Sequence, residues 1–181
     1  MLTELQQRKL IRLFQVYDAN RDGILEREDY ERVATGIADF LEIPHDSAER
    51  QSHFAGYMAS WDGLQQFADS DNDNQVTLDE WIAANAAIIA QSELLETLVR
   101  GSTESTMNWE DKDRDGRIAR AEYLGVAQSY AMTQEEAEEA FQHLDRDGDG
   151  YIDKDEMMLD TLEFFTSDDP DAPGNWLVGR F

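Results

Sequence analysis

The chain has 181 residues, 41% of them hydrophobic, and a formal net charge of −25 from 40 acidic and 15 basic residues. This charge repels nucleic acid and anionic membrane surfaces, so we expect neither as a partner. The absence of cysteine excludes disulfides, thiolate metal sites and cysteine nucleophiles.

The N-terminal segment MLTELQQRKLIRLF mixes charged and apolar residues, unlike the apolar core of a signal peptide. The longest apolar run, 86–90, is too short to span a bilayer. We therefore expect a cytoplasmic protein, and the length suits one compact body that acts as a monomer.

Helical signals surround four acidic segments. Thr3 and Gln6 form a capping box, which predicts the start of the first helix, and the apolar spacing over 10–17 continues it. After the first acidic segment, apolar residues at helical spacing over 30–41 predict a second helix, which ends near Pro44.

The downstream segments are also predicted to be helical. Asp46 with Glu49 forms a second capping box, and Thr133 with Glu136 forms a third. Gly101 predicts a kink or break between the helices that follow the second acidic segment and precede the third.

The four acidic segments repeat one 12-residue pattern. They read DANRDGILERED (18–29), DSDNDNQVTLDE (69–80), DKDRDGRIARAE (111–122) and DRDGDGYIDKDE (145–156). Together they hold 20 of the 40 acidic residues. A merely solvated charge run has no reason to alternate acid at positions 1, 3 and 5 and then place glycine at position 6.

This spacing is typical of the calcium loop of an EF-hand, D-x-[DN]-x-[DN]-G-x5-E. Ca²⁺ takes six to eight oxygens, supplied by side chains at positions 1, 3 and 5, a backbone carbonyl at 7 and a bidentate carboxylate at 12. Position 6 turns sharply with positive φ, which glycine allows. The predicted ligands are Asp18, Asn20, Asp22, Ile24 and Asp29; Asp69, Asp71, Asp73, Gln75 and Glu80; Asp111, Asp113, Asp115, Arg117 and Glu122; and Asp145, Asp147, Asp149, Tyr151 and Glu156.

Two loops depart from the pattern. Loop 69–80 has Asn74 at position 6, and because asparagine tolerates left-handed geometry we expect this loop to bind. Loop 18–29 ends in Asp29, whose shorter side chain weakens Ca²⁺ binding or favours the smaller Mg²⁺. The alternative for this loop is a dead site. The expected cofactors are three to four Ca²⁺ ions, with Mg²⁺ as the other candidate ion for loop 18–29.

Position 8 is apolar in every loop: Leu25, Val76, Ile118 and Ile152. This pattern predicts short antiparallel bridges that pair the first loop with the second and the third with the fourth. The expected fold is all-α, with four EF-hands in two pairs within one compact globule. Residues 1–90 would hold the N-terminal pair, 91–166 the C-terminal pair, and 167–181 an apolar tail that packs back on the body.

These features resemble the sarcoplasmic calcium-binding protein family, which includes the bacterial member calerythrin and the related calexcitin. The resemblance rests on the four hands, on the first loop DGILEREDYERVA that ends in Asp before an aromatic residue, and on the apolar tail. It implies a helical globule with at least three Ca²⁺ sites, a mixed Ca²⁺/Mg²⁺ first loop and a tail folded onto the body. Many members have a degenerate second loop, whereas loop 69–80 keeps its ligands.

The expected function is an intracellular calcium buffer, and a calcium sensor that binds a target protein is the alternative. Sensors usually expose methionine-rich surfaces, and Met157–Met158 is the sole cluster here, so no protein target is indicated. A third reading is a ligand-holding protein similar to the coelenterate photoproteins, although simple core packing also accounts for Trp61, Trp81 and Tyr123. The three histidines lie far apart and outside any nucleophile motif, so we expect no enzymatic activity.

Overall fold

The computed structural model describes residues 2–18, 20–130 and 132–181, and within them eight α-helices accompany four short strands. The helices are α1 (Glu4–Tyr17), α2 (Arg27–Phe40), α3 (Ala48–Ala68), α4 (Leu78–Ile89), α5 (Ser92–Glu110), α6 (Arg120–Ala127), α7 (Gln134–Leu144) and α8 (Lys154–Thr166). The strands are β1 (Ile24–Leu25), β2 (Val76–Thr77), β3 (Ile118–Ala119) and β4 (Tyr151–Ile152). Short 3-10 turns occupy Gln128–Tyr130 and Pro173–Trp176.

The helix starts agree with two of the three predicted capping boxes. Thr3 caps α1 and Thr133 caps α7, each in a reciprocal box with the residue three positions later. The box at Asp46 was wrong, because Ser47 is the N-cap of α3 and its hydroxyl accepts the N–H of Arg50 at 3.0 Å. Ser47 also donates to the carbonyl of Pro44 at 2.8 Å, so its hydroxyl joins the preceding turn to the helix.

The predicted break at Gly101 was also wrong. Gly101 lies inside the continuous helix α5, where a glycine costs only about 1 kcal/mol relative to alanine. The chain instead turns at Ala90 and Gln91, and α4 and α5 are bent by 110° there. No single helix in the described ranges is long and apolar enough to cross a membrane. Within those ranges, only α4 and α5 taken together reach the necessary length and apolar composition, and they are bent at the break between them.

The four loops pair through the residues at position 8, as predicted. Leu25 pairs with Val76 in the antiparallel β1–β2 sheet, and Ile118 pairs with Ile152 in the β3–β4 sheet. All four side chains are fully buried. Each pair of hands is therefore held together at its loops by two apolar side chains, and the all-α fold with two EF-hand pairs is confirmed.

The two pairs share a core. Val33 and Ile37 of α2 form one buried cluster with Val126 of α6. Helix α6 approaches α2 closely at Gly125, where a Cβ atom would overlap the ring of Phe40. Because a side chain at Gly125 would push these helices apart, the glycine sets how closely the two halves pack.

The segment after α8, the C-terminal tail, packs against the first helix, α1, and the last helix, α8. Val178 forms a buried cluster with Val16 of α1 and Phe164 of α8. Trp176 and Leu177 pack on the core cluster of the C-terminal pair. Gly174 approaches α8 so closely that a Cβ atom there would overlap the carbonyl of Asp160.

Candidate metal centre

Each acidic loop turns sharply between the helix that precedes it and the helix that follows. The sixth residue of every loop has a left-handed backbone, with φ of +85° for Gly23, +67° for Asn74, +90° for Gly116 and +91° for Gly150. Asn74 therefore adopts the conformation expected from its tolerance of positive φ. The turn at this position brings the side chains of positions 1, 3 and 5 towards one centre.

The first acidic residue of each loop holds this turn. In loop 111–122, Oδ2 of Asp111 accepts the N–H of Gly116 at 2.8 Å, and Oδ1 accepts the N–H of Asp115 at 3.2 Å. The equivalent bond from position 6 to position 1 recurs in the other three loops at 2.9–3.0 Å. Each carboxylate oxygen has a second lone pair, so these bonds orient it and leave capacity for a cation.

The last glutamate of loops 2, 3 and 4 reaches across the loop in the same way each time. In loop 111–122, Oε1 of Glu122 accepts the N–H of Lys112 at 2.7 Å, and Oε2 accepts the N–H of Ala119 at 2.8 Å. Glu156 repeats both bonds in loop 145–156, at 2.9 and 3.0 Å. Two backbone donors thus hold both oxygens of each glutamate at the loop, the orientation that a bidentate ligand requires.

Carboxylate oxygens converge in three of the loops. Within the described residues, one oxygen from each member of a triplet lies within 4.8 Å of the others for Asp69, Asp71 and Asp73; for Asp111, Asp113 and Glu122; and for Asp145, Asp147 and Glu156. Oxygens that share a Ca²⁺ ion at 2.3–2.6 Å are at most about 5 Å apart. These triplets of hard, anionic oxygen donors therefore fit calcium in both chemistry and spacing.

Glu80 in loop 69–80 stands outside its triplet. Its carboxylate accepts bonds from the backbone N–H groups of Thr77 and Ser70, at 3.0 and 2.9 Å, and from both of their hydroxyls. These bonds, the Thr77 N–H foremost, lower its pKa to about 2. The charged form is thus favoured before any cation binds.

Asp29 in loop 18–29 is almost completely buried and faces two donors. Oδ2 accepts the N–H of Glu26 at 3.0 Å, and Oδ1 accepts the Arg32 guanidinium at 3.0 Å. Burial raises the pKa of Asp29, and the bonds from Glu26 and Arg32 partly oppose that rise. The N–H equivalent to Lys112 belongs to Ala19, which lies outside the described residues. A metal in this loop would compete with Arg32 for one oxygen.

The predicted carbonyl ligands lie at the start of the short strands. Ile24 and Tyr151 begin β1 and β4, and Gln75 and Arg117 immediately precede β2 and β3. Arg117 also lies over the Tyr151 ring, 3.7 Å from its centroid. Position 7 of the third loop therefore contacts position 7 of the fourth through their side chains.

Two basic residues near the loops were missed by sequence reasoning. Arg32 could have been found, because it follows Asp29 by three residues on a helix, where side chains meet. Arg146, at position 2 of loop 145–156, reaches Asp160 and Glu163 on α8, each at 2.5 Å. That contact depends on tertiary packing. Burial raises the pKa of Asp160 to about 7, although Arg146 acts in the opposite direction.

Comparisons with known proteins agree with this geometry. Two family models of the EF hand match, one at residues 10–34 and one, the EF hand domain, at 136–159. Calerythrin of Saccharopolyspora erythraea is 28% identical over 166 residues, which cover 91% of this chain and 94% of that protein.

Solved structures show the same fold. A calcium-binding protein of Streptomyces coelicolor superposes with a TM-score of 0.75 at 23% identity, covering 89% of this chain and 98% of its own. A sarcoplasmic calcium-binding protein from amphioxus has a TM-score of 0.75 at 19% identity, and both chains are covered completely. The converging carboxylates, the two EF-hand matches and the similarity to calerythrin together make this chain a calcium-binding EF-hand protein.

Proposed function

We propose that this protein is a cytoplasmic calcium buffer, a monomer whose own C-terminal tail covers the apolar surface that a sensor would offer to a target. The observation that carries the proposal is the burial of the tail. Val178 is 8% exposed and lies in a cluster with Val16 and Phe164, from opposite ends of the chain. Occupied apolar surface leaves a target helix little to bind.

Polar contacts also hold the tail. The Arg12 guanidinium donates to the carbonyl of Val178 at 3.0 Å. The Trp176 ring stacks on His143 of α7, with centroids 4.3 Å apart and planes within 3°. A segment fixed on α1, α7 and α8 at once is suited to a permanent cover.

We further propose that the loops bind three to four Ca²⁺ ions. Loops 111–122 and 145–156 have the strongest support, because the last glutamate joins the converging triplet in each. Loop 69–80 has a triplet without Glu80. For loop 18–29 we propose Mg²⁺ or weak Ca²⁺ binding, because Asp29 is short and shared with Arg32.

A calcium sensor is the second candidate function, and exposed apolar side chains favour it. Phe67, Leu98 and Leu159 are 54%, 45% and 44% exposed. They belong to three different helices, α3, α5 and α8. The Streptomyces coelicolor structure is described as a basis for calcium-mediated regulation, so a regulatory role exists in at least one protein of this fold.

Dye binding to the full chain and to a variant lacking residues 170–181 distinguishes the two functions. For a buffer, the fluorescence of a hydrophobic dye stays low in the full chain with Ca²⁺ and rises in the truncated chain, whose thermal stability falls. A large Ca²⁺-dependent rise in the full chain would instead establish the sensor. A chain lacking only 180–181 serves as the control, because it keeps Val178.

Ion stoichiometry is measured by titration calorimetry of the full chain with Ca²⁺, first without Mg²⁺ and then at millimolar Mg²⁺. We expect the chain to bind three to four Ca²⁺ ions without Mg²⁺ and one Ca²⁺ ion fewer when Mg²⁺ is present. Fewer than three sites without Mg²⁺ would contradict the proposal.

A further inference from the structure

A cavity of about 220 Å³ lies between the helices of both EF-hand pairs, and none of its lining residues belongs to a calcium loop. Its wall includes residues of α1, α2, α4, α5, α6 and α8, together with Leu177 and Val178 of the tail. Both halves of the protein and the tail therefore enclose it.

The wall is apolar in general but carries several phenol groups. Tyr17, Tyr30, Tyr123 and Tyr130 line it, and Tyr17 and Tyr30 are stacked with ring centroids 4.9 Å apart. Flat rings of this kind favour stacked or edge-to-face contact with another aromatic ring. An aromatic guest suits this wall better than an aliphatic one.

Two polar groups of the wall would orient a guest. The Tyr123 side chain is 7% exposed, and its hydroxyl has no hydrogen-bond partner anywhere in the described residues. Glu110, 6% exposed, brings a carboxyl group to the same wall. A buried hydroxyl without a partner is costly, and a guest with an N–H or O–H group would relieve that cost.

The size of the cavity limits the guest. A cavity of about 150 Å³ holds one benzene molecule, so about 220 Å³ accommodates roughly nine non-hydrogen atoms. Ser102 of α5 is exposed to solvent and also lines the cavity, which gives a route of entry beside α5.

We infer that this central cavity is a binding site for a small flat aromatic molecule of about nine non-hydrogen atoms that carries one N–H or O–H group. The inference goes beyond calcium buffering, because it assigns the protein a second class of ligand. It rests on the volume of the cavity, its aromatic wall, and the unpartnered Tyr123 hydroxyl.

Indole is the probe, and indene, which has the same shape without the N–H group, is its matched control. Calorimetry of the calcium-saturated full chain should give one indole site with a dissociation constant below about 1 mM. Indole should bind at least about fivefold more tightly than indene, the effect of one hydrogen bond. Failure of indole to saturate a single site overturns the inference.

Variants connect the binding to the cavity. Tyr123→Phe should bring the affinities of indole and indene together, whereas Thr97→Val, which removes an exposed hydroxyl outside the cavity, should keep the preference. Ser102→Phe, a change at an exposed position, should weaken both probes at least fivefold. Calcium stoichiometry and the melting temperature check that each variant is folded. Unchanged indole affinity in both Tyr123→Phe and Ser102→Phe would place binding elsewhere and refute the site.

Discussion

The ammonium of Lys9 donates to Oδ1 of Asn175 at 3.1 Å, which joins the first helix of the chain to its tail. Both side chains are almost completely buried. Lys9 also donates to the carbonyls of Ser167 and Glu163, at 2.9 and 3.3 Å, at the end of α8. One amino group therefore holds α1, α8 and the tail together.

Replacing Lys9 by methionine tests this role. Lys9→Met keeps the length of the side chain but removes the donor to Oδ1 of Asn175 and to the Ser167 carbonyl, whereas the Glu163 carbonyl still accepts the N–H of Ser167 at 2.8 Å. We expect the free energy of unfolding at saturating Ca²⁺ to fall by about 2–3 kcal/mol. Denaturant titration measures it, with Lys154→Met as the control, because within the described residues the ion pair of Lys154 with Glu104 is exposed and its loss should cost at most about 1 kcal/mol. Equal losses in the two variants would contradict the role of Lys9.

The same lysine predicts how stability changes with pH. Burial lowers the Lys9 pKa from 10.5 to about 8, although the nearby carboxylates of Asp168 and Glu163 act to raise it. Between pH 8 and 10.5 the unfolded chain binds the proton that the folded chain has released, so stability rises with pH in this window. Below pH 8 both states are protonated and the contribution is constant.

The size of that rise is at most about 3 kcal/mol. It is measured as the difference in unfolding free energy between wild type and Lys9→Met from pH 7 to 10, because tyrosine titration is common to both proteins and cancels. A difference that stays flat over this range would show that Lys9 keeps its proton when folded.

Substitution of the last glutamate tests a single calcium loop. Glu122→Gln keeps the size of the side chain but removes the negative charge of the bidentate ligand. We expect the calorimetric stoichiometry to fall by one Ca²⁺, and Glu156→Gln should behave likewise in its own loop. Glu135→Gln on the exposed face of α7 is the control. An unchanged stoichiometry in Glu122→Gln would exclude the predicted role of this residue.

The parts of the fold that local sequence determines were predictable. The loop repeat predicts the left-handed backbone at Asn74, because the sharp turn at position 6 needs positive φ in every loop. The repeat also predicts the pairing of Leu25 with Val76, because position 8 is apolar in every loop. The caps at Thr3 and Thr133 follow from contacts three residues apart. Asp46 and Ser47 are both good caps, and the capping-box spacing favours Asp46, but the contact of the Ser47 hydroxyl with the Pro44 carbonyl accompanies a start at Ser47.

The remaining features depend on distant residues. In the sequence, Lys9 has the pattern of a surface charge on an amphipathic helix, but the end of α8 and the tail both pack over it and bury it. The contact of Arg146 with Asp160 likewise needs α8 to lie beside its loop. The central cavity is assembled from six helices, so no single segment of the sequence carries its signal.

Exchange of the last residue of the first loop tests its ion preference. Asp29→Glu lengthens the side chain by one methylene, so both oxygens can clamp a Ca²⁺ ion without contraction of the loop. In calorimetry at millimolar Mg²⁺, we expect the variant to bind one more Ca²⁺ ion than the wild type, because Mg²⁺ occupies the first loop of the wild type. Asp79→Glu, at a position of loop 69–80 that supplies no predicted ligand, is the control. If the variant competes with Mg²⁺ as the wild type does, side-chain length is not the cause.

Calcium and indole should bind cooperatively, because residues directly before or after each calcium loop line the cavity. Tyr17 and Tyr30 flank loop 18–29, Trp81 follows loop 69–80, Glu110 and Tyr123 flank loop 111–122, and Met157 follows loop 145–156. A Ca²⁺ ion that fixes the last glutamate of a loop also fixes the wall residue beside it, and a pre-formed cavity binds more tightly.

Calorimetry of indole with Ca²⁺ and with a chelator measures this coupling. We expect indole affinity to be at least about fivefold higher with Ca²⁺, and indole must then tighten Ca²⁺ binding by the same factor, since the coupling free energy is reciprocal. The Ser102→Phe variant, with its cavity blocked, should bind Ca²⁺ equally with and without indole. Equal indole affinity in the two conditions would mean that the wall keeps its shape whether or not the loops are filled.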